Sequence, residues 1–191
     1  MGTLLERLRG AMDPLGVVHE APPGSRRTAA VLLLFDSREE GLPLLFIERT
    51  AHLRHHAGQI GFPGGGAEAA DATIMATAIR EAGEEAGIPA DAVEVIGVLP
   101  PFMTATSDNW LTPVVGLQKR DIQLRPDPFE VARLFRLDLR ALMTAPHAVR
   151  TLTREGVVRE VHFYDLDGNV VWGVTAAIVN ELIGRMERDT D

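Results

Sequence analysis

Residues 73–88 have the sequence TIMATAIREAGEEAGI, which predicts a helix in the middle of the chain. Apolar residues recur in this segment at the spacing of one helix face, and we expect this stripe to face the core: Met75, Ala78, Ile79, Ala82 and Ala86. Asp71 or Thr73 can cap the amino end, and Gly87, two residues before a proline, is a strong stop signal. The helix is therefore expected to have well-marked ends.

Strand-like apolar runs flank this helix on both sides. Thr28–Phe35 and Leu42–Glu48 precede it and are joined by a polar turn, so they predict a hairpin or adjacent strands. Val93–Leu99 and Leu111–Leu117 follow it, and a long loop connects them. The segment Ala51–Gly66 is rich in loop-forming residues and predicts a loop ahead of the helix.

The carboxy-terminal part of the chain adds further strands and a last helix. A mixed pattern over Phe129–Met143 is followed by two strand-like runs, Ala148–Thr153 and Val157–Tyr164. A helix is predicted over Gly173–Arg188, with one apolar face formed by Val174, Ala177, Ile178, Leu182 and Ile183. Because strands outnumber helices and the helices are separated along the chain, the simplest packing is an α/β sandwich around a mixed β-sheet.

Length and composition limit the class of protein. A chain of 191 residues fits one compact domain, placed at 28–191 after an amino-terminal helix over Thr3–Met12 and an extended lead-in, which together span 1–27. The net charge of −8 argues against a general binder of nucleic acid or of anionic membranes. The sequence contains no cysteine, which excludes disulfides, zinc thiolates, iron–sulfur clusters and a cysteine nucleophile.

The sequence shows no signal for export or for membrane insertion. Met1–Gly10 lacks an apolar stretch of signal-peptide length. The longest apolar run, Ala29–Phe35, is far short of the roughly 20 residues that a membrane helix needs. We therefore expect a cytoplasmic protein.

Three carboxylates share one side of the predicted helix. At about 100° per residue, Glu81 lies between Glu84 and Glu85 in projection, within about 60° of either. Like charges at this spacing repel by about a few tenths of a kcal/mol per pair. A hard divalent cation such as Mg²⁺ would compensate, because it prefers carboxylate oxygen. The alternative is a solvated helix face whose acids pair with Arg80 and other bases.

A glycine-rich segment immediately ahead of the helix favours the cation. Gly64–Gly66 leaves carbonyl and N–H groups of the backbone free to complete a metal shell or to contact phosphate oxygens. A glycine-rich loop followed by an acidic helix is therefore interpreted as a two-part phosphate site that a metal ion bridges.

Residues 80–88, REAGEEAGI, resemble the second half of the Nudix hydrolase signature, G-x5-E-x7-R-E-U-x-E-E-x-G-U, where U is an aliphatic residue. The third residue, an alanine, is the only departure in this half. The first half fits as Gly65-x5-Asp71 if the loop has one extra residue. The resemblance implies a Nudix-type α/β/α sandwich, and it implies that Asp71 or Glu68 pairs with Arg80.

The same resemblance implies a metal site. Glu81 and Glu85 would bind Mg²⁺ or Mn²⁺ directly. Glu84 would bind a second ion or act through water, and the carbonyl of Gly65 would add a ligand.

The resemblance leaves two candidates for the identity of the general base. Some relatives use a glutamate of the signature, and others use an acid from a later loop, for which Glu130 is the candidate. The alternative is that Glu130 is an ordinary surface residue without a catalytic role. The implied catalytic residues are Arg80, Glu84, Glu85 and Glu130.

Two further segments resemble the coenzyme A pyrophosphatase branch of this family. Residues 49–65 match its motif R-T-x3-R-x3-G-x3-F-P-G-G, and residues 172–176 resemble its carboxy-terminal W-G-x-T-A segment. The resemblance implies a substrate with a nucleoside diphosphate linked to another group.

The substrate-binding residues implied are Arg49 and Arg54, for the substrate phosphates and the 3′-phosphate that distinguishes coenzyme A, together with Gly64 and Gly65. The alternative for the arginines is that one of them pairs with an acid and shapes the loop. Three apolar residues either line a pocket for the pantetheine arm or belong to the core: Phe102, Met103 and Trp110.

The implied activity is Mg²⁺- or Mn²⁺-dependent hydrolysis of the pyrophosphate bond in coenzyme A or acyl-coenzyme A, giving 3′,5′-ADP and 4′-phosphopantetheine or its acyl derivative. Two alternatives stay open, the same chemistry on ADP-ribose or NADH, and a nucleotide sensor that does not cleave. The sensor is disfavoured because that class usually loses the signature carboxylates. The expected partner is a small nucleotide, with neither nucleic acid nor membrane, and the chain is expected to be a monomer or a homodimer.

Overall fold

A computed structural model describes residues 2–17, 19, 27–53, 56–104, 109–154, 156–166 and 168–188. The helices in these ranges are α1 (Leu4–Gly10), α2 (Ile74–Ala86), α3 (Leu139–Thr144) and α4 (Gly173–Arg188), with a 3₁₀ turn at Ala90–Ala92. The strands are β1 (Arg27–Asp36), β2 (Leu44–Arg49), β3 (Ile60–Gly61), β4 (Gly64–Gly66), β5 (Val93–Val98), β6 (Phe102–Met103), β7 (Asn109–Gln118), β8 (Val131–Leu137), β9 (His147–Arg154), β10 (Val157–Leu166) and β11 (Asn169–Trp172).

Strand β1 lies in the middle of the main sheet because both of its faces are apolar. Leu33 and Phe35 pack into the core on one face, and Leu32 and Leu34 pack into a second core on the other. All four side chains are fully buried. A continuous apolar run of this kind is typical of a strand that is covered on both sides.

The main sheet is mixed, with the strand order β3-β2-β1-β7-β5. Strand β1 runs parallel to β7 along its whole length and antiparallel to β2 and β4. The remaining pairs, β2 with β8 and β7 with β5 and β6, are antiparallel. A separate antiparallel sheet has the order β11-β10-β9. The predicted mixed sheet is confirmed.

Helices cover both faces of the main sheet, as predicted for an α/β/α sandwich. Helix α2 lies on one face through three small buried residues: Ala78, Ala82 and Ala86. Helix α4 lies on the other face, where Ile178 and Leu182 are buried in the larger core. Helix α1 packs against α4, with Leu8 buried and the guanidinium of Arg7 donating to the carbonyl of Met186.

The buried face of α2 is rotated from the predicted stripe. Its three alanines are buried as predicted, but Met75 and Ile79 are only half-buried, whereas Thr77 and Glu85 are buried. The helix contacts both β1 and the three glycines of β4. The hydroxyl of Thr77 donates to Asp71, and the carboxylate of Glu85 accepts from the N–H of Gly64, so both polar side chains have hydrogen-bond partners.

The ends of α2 follow the predicted signals. The Thr73 hydroxyl accepts a hydrogen bond from the N–H of Ala76 at 3.1 Å, so Thr73 rather than Asp71 is the cap. Gly87 adopts a left-handed conformation, with φ 68° and ψ 29°, and ends the helix.

Two segments that were predicted as loops contain short strands. Ala51–Gly66 includes β3, which pairs with β2, and β4, which pairs with β1. The connection between β5 and β7 includes β6, which pairs with β7. Two or three residues, all glycine in β4, are too few to show an alternating pattern, so their pairing depends on the strands beside them.

Helix α4 has the predicted bounds but a shifted apolar face. Ile178, Leu182 and Ile183 are buried as predicted, whereas Val174 and Ala177 are half-buried. Ala176 and Val179 are buried in their place, because the helix packs against β10 and β11 as well as against the main core. In the part of the chain that the structure describes, no helix is long and apolar enough to cross a membrane.

Candidate active site

Strand β4 places its backbone directly against a carboxylate of α2. A Cβ atom added at Gly65 would lie 2.5 Å from both carboxylate oxygens of Glu81. A Cβ atom added at Gly64 would overlap the carbonyl oxygen of Ala30 and lie 2.6 Å from the Cα of Val31. Backbone atoms of β1 exclude a side chain at Gly64, whereas at Gly65 the obstacle is the carboxylate end of Glu81.

Glu85 is a buried carboxylate held at both oxygens. Only 3% of its surface is exposed. The backbone N–H of Gly64 donates to Oε2 at 2.9 Å, and Nη1 of Arg49 donates to Oε1 at 2.8 Å. Burial raises the pKa of Glu85 to about 7, although both donors favour the ionised form. The hydrogen bonds from Gly64 and Arg49 thus compensate only in part for the hydration that the ionised carboxylate loses on burial.

Arg49 joins Glu85 to a glutamate from a distant loop. Its Nη2 donates to Oε2 of Glu130 at 3.0 Å. The next residue, Thr50, fixes this loop, because its N–H donates to the carbonyl of Glu130 at 2.9 Å and its hydroxyl donates to the carbonyl of Phe129 at 2.8 Å. The end of β2 and the start of β8 therefore bring Glu130 beside the carboxylates of α2.

Arg80 organises the other side of the cluster. Its guanidinium donates to both oxygens of Asp71, at 3.1 and 3.0 Å, and to the carbonyl of Gly66 at 2.9 Å. These hydrogen bonds hold the pKa of Asp71 well below its usual range. Both predicted partners lie within ion-pair distance of Arg80, and Asp71 at 3.0 Å is closer than Glu68 at 3.9 Å.

Glu81 and Glu84 both contact the same nitrogen of Arg80. Nη1 donates to Oε1 of Glu81 at 3.0 Å and to Oε2 of Glu84 at 3.2 Å. Burial raises the pKa of Glu81. The side chain of Glu84 is 62% exposed. The three signature glutamates therefore differ in environment, from the buried Glu85 to the solvated Glu84.

The chemistry of these side chains fits a hard divalent cation. Burial disfavours the ionised forms of Glu81 and Glu85, and a cation beside them would compensate for their lost hydration. Within the described ranges, no three His, Cys, Asp or Glu side chains are grouped closely enough to form a metal shell. Instead, Arg49 and Arg80 contact oxygens of these two glutamates.

The residues predicted for substrate binding have different outcomes. Arg49 contacts two acids, which agrees with the alternative proposed for one of the arginines. Gly64 uses its N–H to hold Glu85. The prediction for Arg54 lies outside the described residues.

The network also includes a side chain that the sequence analysis did not identify. The hydroxyl of Thr77 donates to Asp71 at 2.9 Å. The helical spacing of Thr77 and Arg80 could have indicated that both side chains reach Asp71. The carbonyl of Gly66, one of the backbone groups considered for a metal or a phosphate, accepts from Arg80.

The sequence of this chain is similar to those of known proteins. The family model of the NUDIX domain matches residues 24–160. The protein named uncharacterized Nudix hydrolase NudL from Photorhabdus laumondii is 38% identical over 172 residues, which cover 87% of this chain and 91% of the relative. Its namesake from Shigella flexneri serotype 5b is 42% identical over 161 residues, 84% of this chain and 83% of the relative.

The fold also matches a solved structure. The MutT protein from Methanosarcina mazei Go1 superposes with a TM-score of 0.53 and 13% identity, covering 86% of this chain and 95% of the other. This likeness concerns the fold alone. The match to the family model and the identity to these two relatives together show that the chain belongs to the Nudix hydrolase family.

Proposed function

We propose that this Nudix hydrolase cleaves the pyrophosphate bond of coenzyme A or its thioesters, releasing 3′,5′-ADP and 4′-phosphopantetheine or its acyl derivative. The observation that carries the proposal is the position of Arg49. This arginine opens the motif that resembles the coenzyme A pyrophosphatase branch, and its guanidinium contacts Glu85 and Glu130. The substrate motif and the signature carboxylates therefore contribute to one cluster.

The carboxylates of α2 would hold the metal ion. Members of this family generally use divalent metal ions and act on small nucleotides. In this chain Glu81, Glu85 and the carbonyl of Gly65 would hold Mg²⁺ or Mn²⁺, and Glu84 would serve a second ion. The bound cation supplies positive charge that neutralises phosphate oxygens and lowers the pKa of water.

The protein itself contributes positioning and charge. The N–H of Gly64 orients the Glu85 carboxylate, and Arg80 aligns Glu81 with Glu84. The planar guanidinium of Arg49 is suited to phosphate oxygens. Such positioning and electrostatics provide most of the catalysis in phosphoryl transfer. Glu130, whose side chain is 40% exposed beside Arg49, would accept the proton of the attacking water.

The direct test is product analysis with a panel of substrates. Purified protein is incubated with Mg²⁺ or Mn²⁺ and with coenzyme A, acetyl-coenzyme A, dephospho-coenzyme A, ADP-ribose, NADH or a dinucleoside polyphosphate. We expect the highest kcat/KM for coenzyme A or its thioester, with 3′,5′-ADP as a product. Dephospho-coenzyme A lacks the 3′-phosphate and serves as the matched control. A preference for ADP-ribose or NADH would contradict the assignment of substrate.

The role of Glu130 predicts a specific kinetic effect. We expect Glu130→Gln to lower kcat by about 10²- to 10⁴-fold, because a positioned general base contributes that much. We expect a small change in KM, and loss of the acidic limb of the pH–rate profile. The exposed Glu160 on β10 provides the control variant Glu160→Gln, which should retain activity. An unchanged acidic limb in Glu130→Gln would assign the proton transfer to another group.

Asp71 predicts a graded effect on metal binding. We expect Asp71→Asn to weaken Mn²⁺ binding by about 10- to 100-fold, because Arg80 loses the partner that keeps it aligned with Glu81. Isothermal titration calorimetry measures this directly. The exposed pair of Asp91 and Arg120 provides the control Asp91→Asn. Equal Mn²⁺ affinities of Asp71→Asn and wild type would show that Asp71 has no influence on the metal site.

A further inference from the structure

An exposed aromatic residue occupies the loop that carries Glu130. Phe129 exposes 65% of its surface, although it immediately precedes Glu130. Single exposed apolar residues are common on proteins and need no explanation by themselves. The position of Phe129 becomes informative because the surrounding backbone is held in place.

Hydrogen bonds fix the backbone of Phe129 on both sides. Its N–H donates to Oδ1 of Asp127 at 2.9 Å, and its carbonyl accepts from the hydroxyl of Thr50 at 2.8 Å. Thr50 directly follows Arg49, whose guanidinium contacts Glu130. The backbone of Phe129 therefore belongs to the segment that carries Glu130 and is hydrogen-bonded to the segment that carries Arg49.

His52 supports the ring without covering it face to face. The ring centroids are 4.9 Å apart, and the planes meet at 60°, which is an edge-on contact. No ring in the described ranges is stacked in parallel on Phe129. With 65% of the surface of Phe129 exposed, the residue is accessible to a ligand.

We propose that Phe129 is the stacking surface for the purine base of the nucleotide substrate. The inference rests on the proposed function, because it requires a nucleoside diphosphate whose phosphates lie near Arg49. Bases stack on exposed aromatic rings through their π-faces. A flat, open ring suits a planar base better than it suits the flexible pantetheine arm.

The other two aromatic residues considered for substrate contact, Phe102 and Trp110, make contacts within the protein. Phe102 packs against the larger core, and the indole N–H of Trp110 donates to the carbonyl of His19 at 3.3 Å. Both of these residues are half-buried, whereas Phe129 is 65% exposed. Phe129 is therefore the ring available for stacking on the base.

The test is calorimetric binding of 3′,5′-ADP and, separately, of 4′-phosphopantetheine. We expect Phe129→Ala to weaken 3′,5′-ADP about tenfold, the loss of one base stacked on an aromatic ring. Phe129→Leu should weaken it similarly, because leucine keeps apolar bulk but has no π-face. Phe129→Trp should bind within about twofold of wild type or more tightly. Binding of 4′-phosphopantetheine should not change in any of these variants.

Val158 provides the matched control. It is 64% exposed on β10, and we expect Val158→Ala to bind both ligands like wild type. Unchanged unfolding temperatures of the Phe129 variants would exclude a folding defect. The proposal is overturned if 3′,5′-ADP binds equally to Phe129→Ala and wild type, if the loss affects only 4′-phosphopantetheine, or if wild type binds no adenine nucleotide.

The substrate panel separates this inference from the proposed function. Wild type that cleaves ADP-ribose but not coenzyme A, with adenine-nucleotide binding still dependent on Phe129, would refute the coenzyme A assignment and support the stacking role. Wild type that cleaves coenzyme A with nucleotide binding independent of Phe129 would support the proposed function and refute the stacking role.

Discussion

Glu85→Gln is expected to lower kcat for pyrophosphate hydrolysis on the order of 10³-fold, or about 4 kcal/mol of transition-state stabilisation. Glu85 is the most buried of the three signature glutamates, and both of its oxygens are held. The amide has the same shape but no negative charge to hold a cation. The measurement is steady-state kinetics at saturating Mg²⁺, together with Mn²⁺ binding by calorimetry.

The exposed Glu160→Gln variant is the control for this experiment as well, because it removes a carboxylate from β10. We expect it to retain both kcat and Mn²⁺ affinity. Full kcat of Glu85→Gln at saturating Mg²⁺ would remove Glu85 from the metal site.

The same substitution reports on the stability of the metal-free protein. The pKa of Glu85 is raised from 4.5 to about 7 in the fold, so the folded state binds more protons between these values. Stability is therefore lost as pH rises through this range, by about 3 kcal/mol in total. The glutamine variant has no such titration. The difference in free energy of unfolding between Glu85→Gln and wild type should therefore shift in favour of the variant as the pH rises from 5 to 8. Urea unfolding in EDTA measures this, and an equal difference at both pH values would contradict it.

Gly64→Ala is expected to lower the free energy of unfolding by about 3 kcal/mol or more, the upper range for overpacking a core. The added methyl group would overlap the carbonyl oxygen of Ala30 and lie 2.7 Å from Cγ1 of Val31. Since these atoms belong to β1 in the middle of the sheet, neither can move without disturbing the paired strands. Urea or thermal unfolding measures the loss.

The neighbouring glycines provide matched controls. A Cβ atom at Gly66 meets nothing within 4 Å, so Gly66→Ala should leave stability nearly unchanged. At Gly65 the obstacle is the flexible end of Glu81, so Gly65→Ala should cost less stability than Gly64→Ala but weaken Mn²⁺ binding. Equal stabilities of the Gly64 and Gly66 variants would show that β4 does not lie as described.

Local signals predicted much of the fold. Helix α2 begins after Thr73 and ends at Gly87, because a side-chain cap and a left-handed glycine act within a single turn. Strand β1 was predicted from its apolar run. The short strands β3, β4 and β6 were missed, because their pairing comes from β2, β1 and β7 rather than from their own residues.

The sequence pattern identified candidate residues for the site, but not which of them are in contact. The pairing of Asp71 with Arg80 was foreseen as one of two possibilities and is present. That Arg49 pairs with an acid was one of the two alternatives, but its partners Glu85 and Glu130 were not predicted. These residues come from β2, α2 and the loop before β8, and no local pattern specifies how such distant segments meet.

The amino-acid sequence alone determined the helix that carries three carboxylates on one side and the glycine segment that precedes it, because helical period and backbone freedom are local properties. Only the tertiary structure decided that Glu85 is buried while Glu84 is solvated. The burial of each carboxylate depends on its position relative to β4 and on which arginines contact it. Those positions follow from the packing of the whole sheet.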